Sequence, residues 1–225
     1  MTRSEPDSRD SADSAAGFVR AHTRLGAPPL VPEVRVHLAE EAIAVWEATE
    51  RQVGRSGLAP PFWAFAWAGG QALARHVLDH PELVRGRRVW DLAAGCGVVA
   101  VAAALAGAAE VTANDVDPWA GAAIGLNAEA NGVPVRVVVG DVLTGDADGA
   151  QVVFAGDVFY DRPMAARVLP FLRRARRAGA EVVVGDPGRA HLPGEAFEEL
   201  ARYGVPVPRE LEGVDVKPTR VLRLP

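Results

Sequence analysis

The sequence predicts an α/β protein built on an open, largely parallel sheet with helices on both faces, and three observations carry that prediction. From residue 86 onward, short apolar runs alternate with small-residue stretches of helical length, as in successive βαβ units. Most of these runs end in an acid or a glycine turn, as strands do when they deliver side chains to a binding rim. The 225 residues are 49% hydrophobic and 24% charged, with a mean hydropathy of +0.06, enough for one well-cored domain.

The elements follow in order. Over residues 1–16, Glu5, Asp7, Asp10 and Asp13 lie among serines, which predicts a disordered tail. Residues 17–59 form an N-terminal extension to a single domain over 17–225. In it Phe18, Val19 and Leu25 suggest a short helix, and Pro28, Pro29 and Pro32 impose an extended segment. Leu38, Ala42, Val45 and Trp46 then repeat with helical spacing. Gly54, Gly57, Pro60 and Pro61 break the chain. Strands are expected over 88–92, 110–114, 135–139, 151–155, 181–185 and 215–224. Helices are expected over 98–106, 118–131, 163–177 and 194–203, the second opened by Pro118 and closed by Asn131-Gly132.

Several classes are disfavoured. No window approaches the roughly 18 uncharged apolar residues of a membrane span. The polar, acidic start lacks the apolar region of a secretory signal, so a cytoplasmic protein is expected. Cys96 is the sole cysteine, which rules out an internal disulfide and a cysteine-rich zinc site. The net charge of −5 argues against nucleic acid as partner. His76 and His80 have the spacing of a metal pair beside Asp79, but no third ligand is placed, so an exposed helix face and no metal are expected. Arg173, Arg174, Arg176 and Arg177 fall where cations offset a helix dipole. Lys217 is the only lysine.

The chemistry should sit beyond the carboxyl ends of the strands. Asp91 with Gly95 and Gly97, then Asp115 and Asp117, then Asp141, then Asp157 bring carboxylates to that rim. The turn GCGVVA at 95–100 matches G-x-G-x-x-G/A, a weak signal alone. Asp91, four residues before Gly95, would repel a diphosphate and attract a cation. That favours S-adenosylmethionine, which carries an ammonium and a sulfonium, over a nicotinamide dinucleotide. Asp115 suits a ribose diol in either case, and Asp141 could accept from an adenine amino group.

Four segments carry a family resemblance: DLAAGCG at 91–97, NDVDP at 114–118, LNAEANG at 126–132 and DVFY at 157–160. Together they resemble a class I, seven-stranded, Rossmann-like methyltransferase. With PPFWAFAWAGGQ at 60–71 added, the chain is similar over about residues 28–225 to the electron-transfer-flavoprotein β-subunit lysine methyltransferases. That family stands near the ribosomal-protein methyltransferases. The resemblance implies S-adenosyl-L-methionine as cofactor, held by Asp91, Gly95 and Gly97 at its methionine end, Asp115 at the ribose and Asp141 at the adenine. Trp67 and Gly70 would form the wall beside it. Asp157 and Tyr160 would be catalytic, with Asp157 accepting a hydrogen bond from the incoming amine. The implied partner is a protein substrate, the flavoprotein β subunit, rather than nucleic acid or membrane. Another protein or a small amine stays open as substrate. Ala93 stands where the motif often has glycine, and Ala68 where the family often has proline.

Overall fold

A computed structural model describes residues 8–225. Residues 1–7 of the expected tail lie outside them. From Ser8 the chain is already helical, in α1 (Ser8–His22), so the expectation of disorder through residue 16 is corrected. The physical reason is an anchor: Phe18 and Val19 are buried, and the Phe18 ring packs 5.5 Å from Trp119 and 6.4 Å from Trp63. A turn fixed by packing lets the preceding residues add to the helix without a new nucleation step. Leu25, expected to be helical, lies in β1 (Arg24–Gly26), which pairs antiparallel with β2 (Val36–Leu38). Because Leu38 is taken into that hairpin, the next helix, α2 (Ala42–Val53), starts later than its apolar spacing suggests. Gly54 closes it at φ 71°.

The body is a seven-stranded sheet. Its strands are β3 (Arg88–Leu92), β4 (Glu110–Asp115), β5 (Arg136–Val139), β6 (Val152–Gly156), β7 (Glu181–Asp186), β8 (Glu198–Pro206) and β9 (Val216–Leu224). They lie in the order β5-β4-β3-β6-β7-β9-β8. The first five run parallel, whereas β9 is antiparallel to both β7 and β8. The expected helix over 194–203 is therefore an edge strand preceded by a short 3-10 turn. Its alternation explains this: Ala201, Tyr203 and Val205 face the core while Arg202 and Gly204 face out, and only pairing with β9 makes use of that pattern.

Each central strand feeds two cores. Val89, Val152 and Phe154 pack on one face with α3 (Ala68–Asp79), α4 (Val98–Leu105) and Ile124 of α5 (Pro118–Ala130). Trp90, Val153 and Ala155 pack on the other with Phe171 and Leu172 of α6 (Arg162–Arg177). Strand order turns around between β3 and β6, and a crevice at their carboxyl ends is where such sheets bind ligands. The extension is tied to this body by two asparagines of the LNAEANG segment. Asn127 accepts from His37 N–H at 2.7 Å and donates to the Cys96 carbonyl at 2.8 Å, and Asn131 brackets the backbone of Arg35. Among the described residues no helix is long and apolar enough to cross a membrane.

Candidate active site

The floor is the turn between β3 and α4. Gly95 (φ 55°) and Gly97 (φ 74°) take left-handed conformations that glycine adopts without strain. Ala93 does the same at φ 52°, at a cost an alanine bears and a glycine would not. A Cβ at Gly97 would also press on the Ile124 side chain at 3.1 Å, which would have to give way. Gly95 instead faces open space, its nearest neighbour on that side being the Phe62 carbonyl at 3.8 Å.

Two acids shape this turn. Asp91 is buried, and its Oδ2 accepts from the Ala100 N–H at 3.0 Å in the first turn of α4. Asp115 accepts from the Gly95 N–H at 2.9 Å and from the Asp117 N–H at 3.0 Å. Asp117 caps α5 by accepting from Trp119 N–H. Burial pushes the Asp91 carboxyl up to about 8, helped by the nearby Asp115, and burial raises Asp115 and Asp117 as well. Among the described residues none of the three has a cationic partner within 4.0 Å. Buried and half-buried carboxylates bonded only to amides fit a cationic ligand, which would relieve the cost that burial imposes on their charged forms.

The rim across the switch point is aromatic. Phe62 lies 5.2 Å from Tyr160 and 5.8 Å from Trp67, and the Trp67 indole donates to the Phe62 carbonyl at 2.9 Å. Tyr160 is 42% exposed, so its ring lines the mouth. Trp67 is the residue from which α3 starts.

Asp157 follows the last residue of β6, takes φ 57° and is buried. Its Oδ2 accepts from the N–H groups of Gly69 (2.5 Å) and Gly70 (3.2 Å) at the start of α3. Its Oδ1 accepts from Arg189 twice, from Nε at 3.0 Å and Nη2 at 2.6 Å. The open acceptor expected for an incoming amine is thus corrected: four N–H donors already fill this carboxylate. Asp141, expected at the adenine, is half-exposed and also engaged, with Oδ1 accepting from Leu143 N–H and Oδ2 paired with Arg167 at 2.6 Å. Among the described residues no group of three His, Cys, Asp or Glu side chains is arranged to hold a metal. His76, expected on an exposed face, is buried with its Nδ1 3.1 Å from the Tyr203 hydroxyl, while His80 is exposed.

The structure therefore places Trp67, Gly70, Asp91, Gly95, Gly97, Asp115, Asp157 and Tyr160 along the carboxyl ends of β3, β4 and β6 and the start of α3, and sets Asp141 past the end of β5 in a pair with Arg167. It adds Phe62, Asp186, Arg189 and Glu212. Asp186 was within reach of sequence, being another strand-end acid. The other three reach the site only through tertiary packing.

A sheet of this order, with a cation-seeking glycine turn at its switch point, is the architecture of the class I methyltransferases. A family model described as ribosomal protein L11 methyltransferase (PrmA) matches residues 72–156. A putative RNA methyltransferase from Pyrococcus horikoshii superposes with a TM-score of 0.54 at 18% identity, covering 75% of this chain and 89% of that one, a likeness of fold. Electron transfer flavoprotein beta subunit lysine methyltransferases from Xenopus laevis and Danio rerio are 40% and 36% identical to it. These matches span 88% and 91% of this chain and 81% of each relative. The chain belongs to that family, and it is an S-adenosylmethionine-dependent protein-lysine N-methyltransferase.

Asp115 gives a direct check on the floor. Asp115→Ala should weaken S-adenosylmethionine binding by about 1.5–3 kcal/mol, the range for a hydrogen bond to a charged group, with the Gly95 amide left free as well. Isothermal calorimetry on the folded variant measures this, and unchanged affinity would remove Asp115 from the cofactor site.

Proposed function

We propose that this protein methylates lysine side chains of the electron transfer flavoprotein β subunit. The observation that carries this is the extent of the similarity. Five vertebrate flavoprotein methyltransferases, 36–40% identical, match 75–91% of the chain. The match to the ribosomal L11 methyltransferase model stops at residue 156, within the cofactor half.

S-adenosylmethionine supplies an electrophilic methyl group on a sulfonium. The residues at the rim act on the other reactant. A lysine amine attacks only when neutral and gains positive charge as it does so, which makes alignment and nearby fixed charge the main contributions of the protein. Asp157, Asp186 and Glu212 set three carboxylates among the cations Arg189, Lys217 and Arg220, so the corner is balanced in charge when all are ionised and it is the position of the Asp157 carboxylate that counts. The exposed Tyr160 ring beside Phe62 can guide the aliphatic stem, and its face attracts the forming ammonium at roughly 0.5–2 kcal/mol.

Incubating the enzyme with labelled cofactor and the purified β subunit, followed by mass spectrometry, should place the label on its lysines and none on free lysine. Comparable kcat/KM on free lysine, a small amine or ribosomal protein L11 would move the assignment to that substrate.

A further inference from the structure

The structure assigns Arg189 as a positioning residue for methyl transfer: its guanidinium holds the Asp157 carboxylate in place and in its charged form, and is itself fixed on three sides. This rests on Asp157 standing beside the reacting amine. The first constraint on Arg189 is its own backbone. Asp186, fully buried at the end of β7, accepts from the Gly188 and Arg189 N–H groups at 2.7 Å each, folding the chain so that Arg189 turns back over β6. The second is Glu212 of α7 (Arg209–Glu212), whose side chain is 3% exposed. Its Oε1 accepts from Arg189 Nη2 at 2.7 Å, while Lys217 Nζ on β9 donates to its Oε2 at 2.8 Å. The third is the Trp67 ring, with the guanidinium carbon 5.8 Å from its centroid. The guanidinium thereby joins the end of β6, the start of α3 and the α7–β9 corner.

The electrostatics agree with the geometry. Burial raises the Asp157 carboxyl to about 6, and Arg189 is the main influence holding it down. Asp186 and Glu212 face Asp157 and push it up, and the two α3 amides favour its ionised form. Lys217 faces Glu212, and Arg220 faces Asp186. An acid whose carboxylate must be ionised for turnover gives a rate that falls as pH drops through its pKa. Loss of Arg189 therefore moves that acid limb to higher pH, whereas loss of the Glu212 charge moves it lower.

The test compares wild type, Arg189→Met, Arg189→Lys and Glu212→Gln for methyl transfer to the protein substrate between pH 5 and 9. Carbon-13 NMR titration of the Asp157 carboxyl, assigned with Asp157→Asn, runs alongside. Arg189→Met should lower kcat by roughly 10-fold or more with little change in cofactor affinity, and raise both the acid limb and the Asp157 titration by about one to three pH units. Arg189→Lys should restore most of the limb, and Glu212→Gln should shift limb and titration downward. If Arg189→Met fails to fold, the downward shift in Glu212→Gln decides alone. An unmoved titration in either variant, or a higher kcat in Arg189→Met, overturns the proposal. Full turnover in Asp157→Asn would instead overturn the reading on which it rests.

Discussion

Asp157→Ala is expected to lower kcat by on the order of 10²-fold or more and, separately, to lower the melting temperature. The first effect follows from the proposed placement of its negative charge beside the nitrogen on which positive charge grows. The second follows from the four donors that Asp157 satisfies. Without it, the Gly69 and Gly70 amides and one side of Arg189 lose their partner inside the protein. Breaking a buried ion pair from one side costs about 3–5 kcal/mol, and each kcal/mol moves the melting point of a chain this size by roughly 2–4 °C. Arg189 keeps Glu212 as its ionic partner in this variant, so the two effects are read apart by measuring kcat and the melting temperature on the same folded protein. A stably folded Asp157→Ala protein with near-normal kcat would falsify the catalytic role.

The parallel half of the sheet was legible because each of its strands has an apolar centre with an acid or glycine at or beside its carboxyl end, from RVWDL at β3 to EVVVGD at β7. Such signals are local, and local signals survive without knowledge of partners. The last part of the chain was not legible for the opposite reason. Residues 198–206 begin with two glutamates and a leucine that suit a helix as well as a strand, and β9 decides between them by supplying a partner edge. The site divides in the same way. Strand-end acids announce themselves, so Asp91, Asp115 and Asp157 could be read from the sequence as a row of carboxylates at the strand ends. Which lone pairs they have left is set by donors distant in sequence: Gly69 for Asp157, Gly95 for Asp115, and Arg189 through a turn that Asp186 shapes. Asp141 shows the limit clearly, since nothing near it in the chain indicates that Arg167 reaches its carboxylate.

Gly69→Ala should be among the most damaging single-methyl changes in the protein. Gly69 is the second residue of α3, just past the cap residue Trp67 and before Gly70, and it lies directly on the ends of β6 and β7. A Cβ there would run into the Gly185 carbonyl and the Asp157 carboxylate, and would stand 2.8 Å from the Asp157 nitrogen. The contact is reciprocal. A Cβ on Gly185 would run into the Gly69 carbonyl, and one on Gly156 would meet the Gly70 nitrogen at 2.9 Å. Backbone meets backbone on both sides, so no flexible side chain can swing away, and the start of α3 has to lift off the sheet. Overpacking of this kind costs about 3 kcal/mol at the upper end of its usual range, a fall of roughly 6–12 °C in melting temperature. The lift also separates the Gly69 amide from Asp157 and shifts Trp67, so cofactor affinity should fall together with stability. Gly125 supplies the control. It is exposed in α5 with nothing within 4 Å of its built Cβ, and Gly125→Ala should hold or raise stability by about 0.5–1 kcal/mol through helix propensity. Thermal unfolding and calorimetric titration of the two variants side by side provide the measurement. If Gly69→Ala melts where Gly125→Ala does, the start of α3 is not clamped to the strand ends, and the close packing that sets Trp67 and Asp157 against one crevice is wrong.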